Sequence, residues 1–306
     1  MEFPYYKLIW EYNKEKVDEI MNNFRYNIQN EIPDSLKKMK LNKYESKYII
    51  IKDNWQENYY LNQITDYFTE KERIRCSFKN YESPLIYWNK NKEKMIKKYG
   101  YSIIKLREGL YNETKFCNNF RISVSLTILS IFRPKTWLDI SAGWGDRLIS
   151  GILYGIEYYC GVDPNNNLHD YYKNIIDTMV EENKRENFVL INDAFETVEL
   201  PTKVMEYDIV FSSPPFYDLE KYSDSVNDSL NKYPNEKEWH DLFLMTSINK
   251  SIKYLKKGGY LILYIHNNNY LNKKLEELKT IMEYKGWIYY YDVNNNPRGI
   301  QIWKKN

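Results

Sequence analysis

The tetrapeptide Ser213-Pro214-Pro215-Phe216 closes the apolar run YDIVF. Neither proline can donate to a strand ladder and each fixes its own φ, so the strand stops in a rigid corner. That corner offers a hydroxyl, a backbone carbonyl and an aromatic ring. The Ser213 hydroxyl and the Pro214 carbonyl can accept hydrogen bonds from an NH2 group, and Phe216 can stack on a flat ring. The set suits an exocyclic amino group on a heteroaromatic base. Diprolines also occur in ordinary turns, so the residues that precede the motif decide its reading.

Those residues include a second loop. KTWLDISAGWGDRLISGILYG reads as a buried strand from Trp137 to Ile140, a turn with Gly143 and Gly145, and a helix opening near Asp146. Glycines let a ligand approach the backbone, and a helix N-terminus supplies free N–H groups. A second strand, EYYCGVD, ends in Asp163, twenty residues after Gly143; in nucleotide-binding α/β folds an acid at that offset takes a ribose hydroxyl pair. A dinucleotide fingerprint would need a glycine at 148, where Leu148 stands. Asp139, at the strand end, would repel a pyrophosphate and attract a cationic sulfonium ligand with an ammonium group. The loop therefore favours S-adenosylmethionine over a nicotinamide dinucleotide.

With these motifs in order, the chain resembles the class I S-adenosylmethionine-dependent methyltransferases, and among them the amino-methyltransferases of nucleic acids (N6-adenine and N4-cytosine) of viral or phage type. DISAGWG, with Ser141, Ala142, Gly143 and Gly145, resembles their cofactor loop, Ser141 standing where the first glycine usually sits. Asp163 resembles the ribose-binding acid. Asp193 with Ala194, in INDAFE, resembles the residues that meet the cofactor's adenine, and SPPF resembles the catalytic (D/N/S)PP(Y/F/W) motif. Phe120 in CNNFRIS resembles the phenylalanine that packs against the methionine end, with Ile122 where that motif has proline. The resemblance covers about residues 116–304. It implies a Rossmann-like class I methyltransferase sheet, an α/β fold, with S-adenosylmethionine as cofactor and a nucleic-acid substrate, DNA in preference to RNA.

The elements fit that order. NFVLI reads as a third strand, YDIVF as the fourth and YLILYI as the fifth. Residues 217–235, polar and rich in tyrosine, read as a mobile loop over the site. EKEWHDLFLMTSINKSIKYL and LNKKLEELKTIMEYKG read as helices, and WIYYYDV with GIQIWKK as a terminal antiparallel hairpin. Alternating strands and helices imply a parallel sheet, with ligands at the carboxyl ends of its strands.

Residues 1–110 read as a mostly helical extension and 111–306 as the methyltransferase domain. Residues 71–107 hold eleven Lys or Arg against three Glu, interleaved with Phe78, Tyr81, Tyr87, Trp88, Tyr99 and Tyr101. Basic charge neutralises phosphates and aromatics stack on unpaired bases, so Arg73, Arg75, Lys79, Lys97 and Lys98 are candidate nucleic-acid contacts. A solvated helix face over core aromatics is the plainer alternative.

The 306-residue chain has a net charge of +2, which argues for no partner by itself. Cys76, Cys117 and Cys160 are widely spaced, and His169, His240 and His266 are scattered. Neither a disulfide framework nor a metal site is expected, and a reducing, cytoplasmic setting follows; the resemblance to viral or phage-type enzymes implies a viral replication compartment as the other setting. No apolar run approaches a membrane span and the N-terminus lacks a signal-peptide layout. C5-cytosine methylation needs a cysteine nucleophile, usually after a proline, and no cysteine here follows proline. Adenine N6 is the expected target. N4 of cytosine, or a non-catalytic nucleic-acid-binding subunit of the same fold, is the alternative.

Overall fold

The computed structural model describes residues 2–26, 28–29, 48–53, 56–265, 269–292 and 296–306; His266 lies outside them. The strands are β1 (Ile28–Gln29), β2 (Tyr48–Ile51), β3 (Ser77–Phe78), β4 (Thr136–Asp139), β5 (Tyr158–Val162), β6 (Phe188–Ile191), β7 (Tyr207–Ser212), β8 (Glu220–Lys221), β9 (Leu255–Leu263), β10 (Met282–Tyr291) and β11 (Pro297–Lys305). Among the described residues they form a nine-stranded sheet, ordered β1-β2-β10-β11-β9-β7-β4-β5-β6, and a separate pair, β3-β8. Strands β6, β5, β4, β7 and β9 run parallel; β11 is antiparallel to β9 and to β10. The sheet is Rossmann-like, mainly parallel with a terminal antiparallel hairpin, as the resemblance implies. Its order reverses at β4, where β5 lies on one side and β7 on the other, and ligands of open α/β sheets sit beyond the strand ends at such a point.

Alternation along the strands divides the core between the two faces. Trp137, Tyr159, Ile209 and Phe211 point to one face, and Leu138, Cys160, Val162 and Val210 to the other. The first face is covered by α1 (Ile122–Phe132), which is apolar nearly all round, and by α2 (Asp146–Tyr154). It is also covered by the N-terminal segment, since Val17, Ile51, Leu61, Ile64 and Phe68 belong to the same apolar cluster. That segment, expected to be mostly helical, includes β2, which pairs parallel to β10 and widens the sheet. The helices Pro84–Tyr99 and Ile103–Glu113 pack around a smaller cluster of their own, with Phe3, Ile74, Trp88, Met95, Leu106 and Leu110.

Two sequence expectations change. The helix expected over 271–286 covers Asn269–Glu276, continues as a tight turn through Thr280, and gives way to β10 at Met282. Packing overrides helix propensity here: Met282 is buried and Tyr284 packs on Trp303 of β11. The polar segment 217–235, expected as a mobile loop, is stitched down. β8 pairs with β3, Cys76 donates to the Tyr222 carbonyl at 3.0 Å, Asn227 donates to Asp193 at 3.2 Å, and Lys232 meets Glu196 at 2.8 Å.

Candidate active site

β4 carries Asp139 to the carboxyl edge of the sheet, where the chain must turn sharply into α2. Gly143 and Gly145 make the turn with φ of +60° and +88°, a region costly for residues with a Cβ. At Gly145 a Cβ would also stand 3.0 Å from Ile175, so the turn seats closely against the helix Asn166–Met179.

Asp139 is fully buried and its carboxylate is spent within the protein. It accepts from Arg147 Nε at 2.8 Å, Tyr159 Oη at 2.9 Å, Ser212 Oγ at 2.7 Å and the Ser141 amide at 3.3 Å. Arg147, on the first turn of α2, also donates to the Ser141 carbonyl. Asp139 was expected to meet the positive end of the cofactor. Its charge is instead paired with Arg147, and it acts as the anchor of the turn rather than as a wall of the cleft. Asp146, beside Arg147, is buried too, and burial pushes its carboxyl up to about 6.

Asp163 stands just past the end of β5. Its Oδ2 accepts from the Gly143 amide at 2.8 Å and its Oδ1 from the Asn165 amide at 3.0 Å. Burial pushes its carboxyl up to about 7, against the two backbone donors that favour the charged form. The Tyr172 hydroxyl reaches the Gly143 carbonyl from the neighbouring helix. Glycine turn and acid are thus a single hydrogen-bonded unit.

β7 ends at Ser212, and Ser213 follows on the cleft side. Ser141, Gly143, Asp163, Ala194, Ser213 and Pro215 line one cleft, open to solvent at its mouth. Trp144, Asn165, Glu196, Tyr222, Asn227 and Phe243 complete much of its wall. Phe243 comes from a π-helical stretch, Trp239–Met245, whose wide turns lie inside the helical region 236–253. Ala142 and Gly145 lie behind the lining, in the turn itself.

Pro214 and Phe216 lie outside that lining. Phe216 packs edge-on against Tyr264 at 5.4 Å, and Tyr264 in turn meets Phe120 at 5.7 Å. Phe120, expected against the methionine end of the cofactor, is buried among Phe211, Tyr264 and Tyr290 and does not line the cleft. Asp193 borders the cleft without lining it; its Oδ1 accepts from the Ala194 amide and from Asn227.

Of the basic candidates, Arg73 is not on a surface. It is buried, with its guanidinium donating to Asp66, to the Cys117 carbonyl and to Tyr111. A guanidinium so enclosed anchors the segment and cannot reach a phosphate. Arg75, Lys79, Lys97 and Lys98 are exposed, Lys98 pairing with Glu113 at 2.7 Å.

The sequence reading missed Arg147, Ser212 and Glu196. Asp146-Arg147 reads as an ordinary charged helix start, and Ser212 is one of two adjacent serines. Glu196 lines the cleft, with Oε1 accepting from Lys232 at 2.8 Å and Tyr233 at 3.2 Å, while its buried Oε2 has no hydrogen-bond partner. An orphaned buried carboxylate oxygen beside a cleft is the feature that an amino group of a bound nucleoside would satisfy. Together with the open backbone at Gly143 and the acid at Asp163, it fits an adenosyl ligand. Among the described residues no group of three metal-ligating side chains converges, and no helix is long and apolar enough to cross a membrane.

A family model, the Eco57I restriction-modification methylase, matches residues 120–297. The chain belongs to that family. S-adenosylmethionine is its cofactor. Solved structures similar to it include TrmN from Thermus thermophilus, with 12% identity, 61% of this chain and 49% of that chain covered, and a TM-score of 0.44. An rRNA methylase from Streptococcus thermophilus has 16% identity, coverage of 62% and 98%, and a TM-score of 0.39. SMU.1697c from Streptococcus mutans, in complex with SAH, has 15% identity, coverage of 62% and 100%, and a TM-score of 0.41. The match thus spans about half the length of TrmN. No curated protein matches the chain.

Proposed function

We propose that this methylase transfers the methyl group of S-adenosylmethionine to the exocyclic amino group of a nucleic-acid base, N6 of adenine in DNA. The observation that carries the reading is the shared cleft: Ser213 and Pro215 of the diproline motif line it together with Gly143 and Asp163. An acceptor corner and a cofactor turn that meet in one cleft perform the positioning that this transfer requires.

When bound, the cofactor supplies an electrophilic methyl group on a sulfonium. The chain's own residues act on the acceptor. Ser213 and the Pro214 carbonyl would accept hydrogen bonds from the two amino N–H groups, drawing the nitrogen towards a pyramidal form with a directed lone pair. A base in a duplex must leave its stack to arrive there, and aromatic surface at the corner, Phe216 backed by Tyr264, would replace the lost stacking. Asp163 would take the ribose hydroxyls, and Ala194 and Glu196 would border the adenine. Arg75, Lys79, Lys97 and Lys98 would neutralise phosphates.

One feature favours a second reading. Serine before the diproline, in place of asparagine or aspartate, is frequent in enzymes resembling N4-cytosine methyltransferases. Incubation with labelled cofactor and double-stranded DNA, single-stranded DNA or RNA, followed by mass spectrometry of the nucleosides, tests the proposal. N6-methyladenine from DNA is expected. N4-methylcytosine alone would move the target base, label in RNA alone would move the substrate, and no label despite cofactor binding would leave a non-catalytic subunit.

A further inference from the structure

Glu72 lies at the end of the helix Ile64–Arg73, in the segment that precedes the family match, yet it stands directly behind Asn165 of the cleft wall. It is buried, at 4% exposure, and its Oε1 accepts from Asn165 Nδ2 at 3.2 Å and from Asn167 Nδ2 at 3.0 Å. Its nearest cation, Arg75, stands at 3.6 Å, beyond hydrogen-bond reach and with an exposed side chain. A carboxylate withdrawn from water and held mainly by two neutral amides is a costly arrangement for a mere helix contact.

The two amides come from the N-cap and the first turn of the helix Asn166–Met179, and Asn165 is part of the cleft wall next to Asp163. Asn165 is buried in the cleft wall, its amide donates to Asp163 Oδ1 at 3.0 Å, and its Oδ1 accepts the Asn167 amide at 3.1 Å to cap the following helix. Asp163 then holds Gly143 of the glycine turn. The links run without a break from Glu72 through Asn165 and Asp163 to Gly143. A few residues on, Cys76 donates to the carbonyl of Tyr222, another residue of the cleft wall, and β3 pairs with the neighbouring β8.

We propose that Glu72 is a positioning residue for the cofactor: through Asn165 and Asn167 it fixes the cleft wall that carries Asp163. This rests on the reading of the cleft as the S-adenosylmethionine site. It means that the segment bearing the exposed cations Arg75 and Lys79 also completes the cofactor site.

The test is calorimetric titration of the full chain with S-adenosylmethionine, with the fluorescence of Trp144 in the cleft wall as a second readout. Glu72→Ala should weaken the cofactor Kd about tenfold, the loss that accompanies a hydrogen bond of this kind. Asn167 is exposed, so Asn167→Asp can be made without disturbing the core; it sets a carboxylate against Glu72 and should weaken binding similarly. Glu72→Gln combined with Asn167→Asp restores a donor–acceptor pair with the roles exchanged and should bring Kd back to within about threefold of the parent, a rescue a purely structural contact would not give. Should Glu72→Ala fail to fold, the Asn167→Asp variant and its rescue carry the test alone. Parental affinity in the Asn167→Asp variant, or a double variant no better than Asn167→Asp, would overturn the proposal. Failure of the parent protein itself to bind the cofactor would instead overturn the reading of the cleft.

Discussion

Ser212 Oγ donates to Asp139 Oδ1 across 2.7 Å and so ties the end of β7 to the end of β4. One carboxylate thereby fixes the spacing between the glycine turn and the diproline corner. The adjacent serines divide the labour: Ser212 is buried against Asp139, and Ser213 faces the cleft.

Asp139→Ala is expected to destabilise the protein severely. It takes from Arg147, a buried guanidinium, its carboxylate partner at 2.8 Å and leaves it Asp146 at 3.6 Å, so the loss should fall towards the low end of the roughly 3–5 kcal/mol of a broken buried pair. Ser212→Ala removes one hydrogen bond and should cost only about 1–2 kcal/mol. Urea unfolding of both variants checks the contrast; equal midpoints would show that Arg147 finds other partners.

The pH dependence of cofactor binding should report Asp163. Its carboxyl is pushed up to about 7 by burial, well above an ordinary value near 4, so it ionises only as pH rises through neutrality. A charged acceptor binds ribose hydroxyls better, and affinity should therefore rise between about pH 6 and 8. Stability runs the other way. The folded state holds this proton more tightly than the unfolded chain, so the contribution is present below pH 4 and is lost as pH rises towards 7. Asp163→Asn should remove the rise in affinity and lessen the loss of stability, of which Asp146, also pushed up by burial, supplies a further part. An unchanged affinity profile in that variant would take Asp163 out of the ribose site.

Ser213→Ala and Phe216→Ala should spare cofactor affinity and lower methyl transfer by at least about tenfold, since both stand on the acceptor side of the proposed reaction. Phe216→Ala also exposes Tyr264, so its melting temperature should be recorded with its kcat. Full turnover in Ser213→Ala at saturating substrate would reduce SPPF to a structural corner.

The parts of this architecture that were legible in the sequence are those where residue type dictates backbone behaviour. Gly143 and Gly145 announce a tight turn, Pro214 and Pro215 announce a strand end, and buried runs such as YDIVF announce the strands. Contacts between strands distant in sequence left no such trace. Nothing local to Asp139 shows that Ser212 and Arg147 would consume its charge. Strands β3 and β8 are two residues each, too short for alternation to register, so the pinning of 217–235 was invisible. Arg73 sat in a run of exposed cations, and only the convergence of Asp66 and Tyr111 explains its burial.

That difference between Arg73 and its neighbours yields the last prediction. If exposed cations of this segment contact phosphates, Lys79→Ala with Lys97→Ala should weaken DNA binding across all sequences. The two substitutions should also flatten the plot of log affinity against log salt by about two units, because each phosphate contact releases about one counterion. Their stability should change little, both residues being exposed and absent from the ion pairs that brace the fold. Arg73→Ala should do the opposite. It leaves Asp66 buried with Arg107, at 2.8 Å, as its remaining cationic partner among the described residues, and should lower the unfolding midpoint strongly while leaving the salt slope of the remaining folded protein unchanged. Filter binding at several salt concentrations, alongside thermal melts, separates the two classes. A salt slope unaltered by the Lys79 and Lys97 substitutions would remove these residues from the nucleic-acid surface.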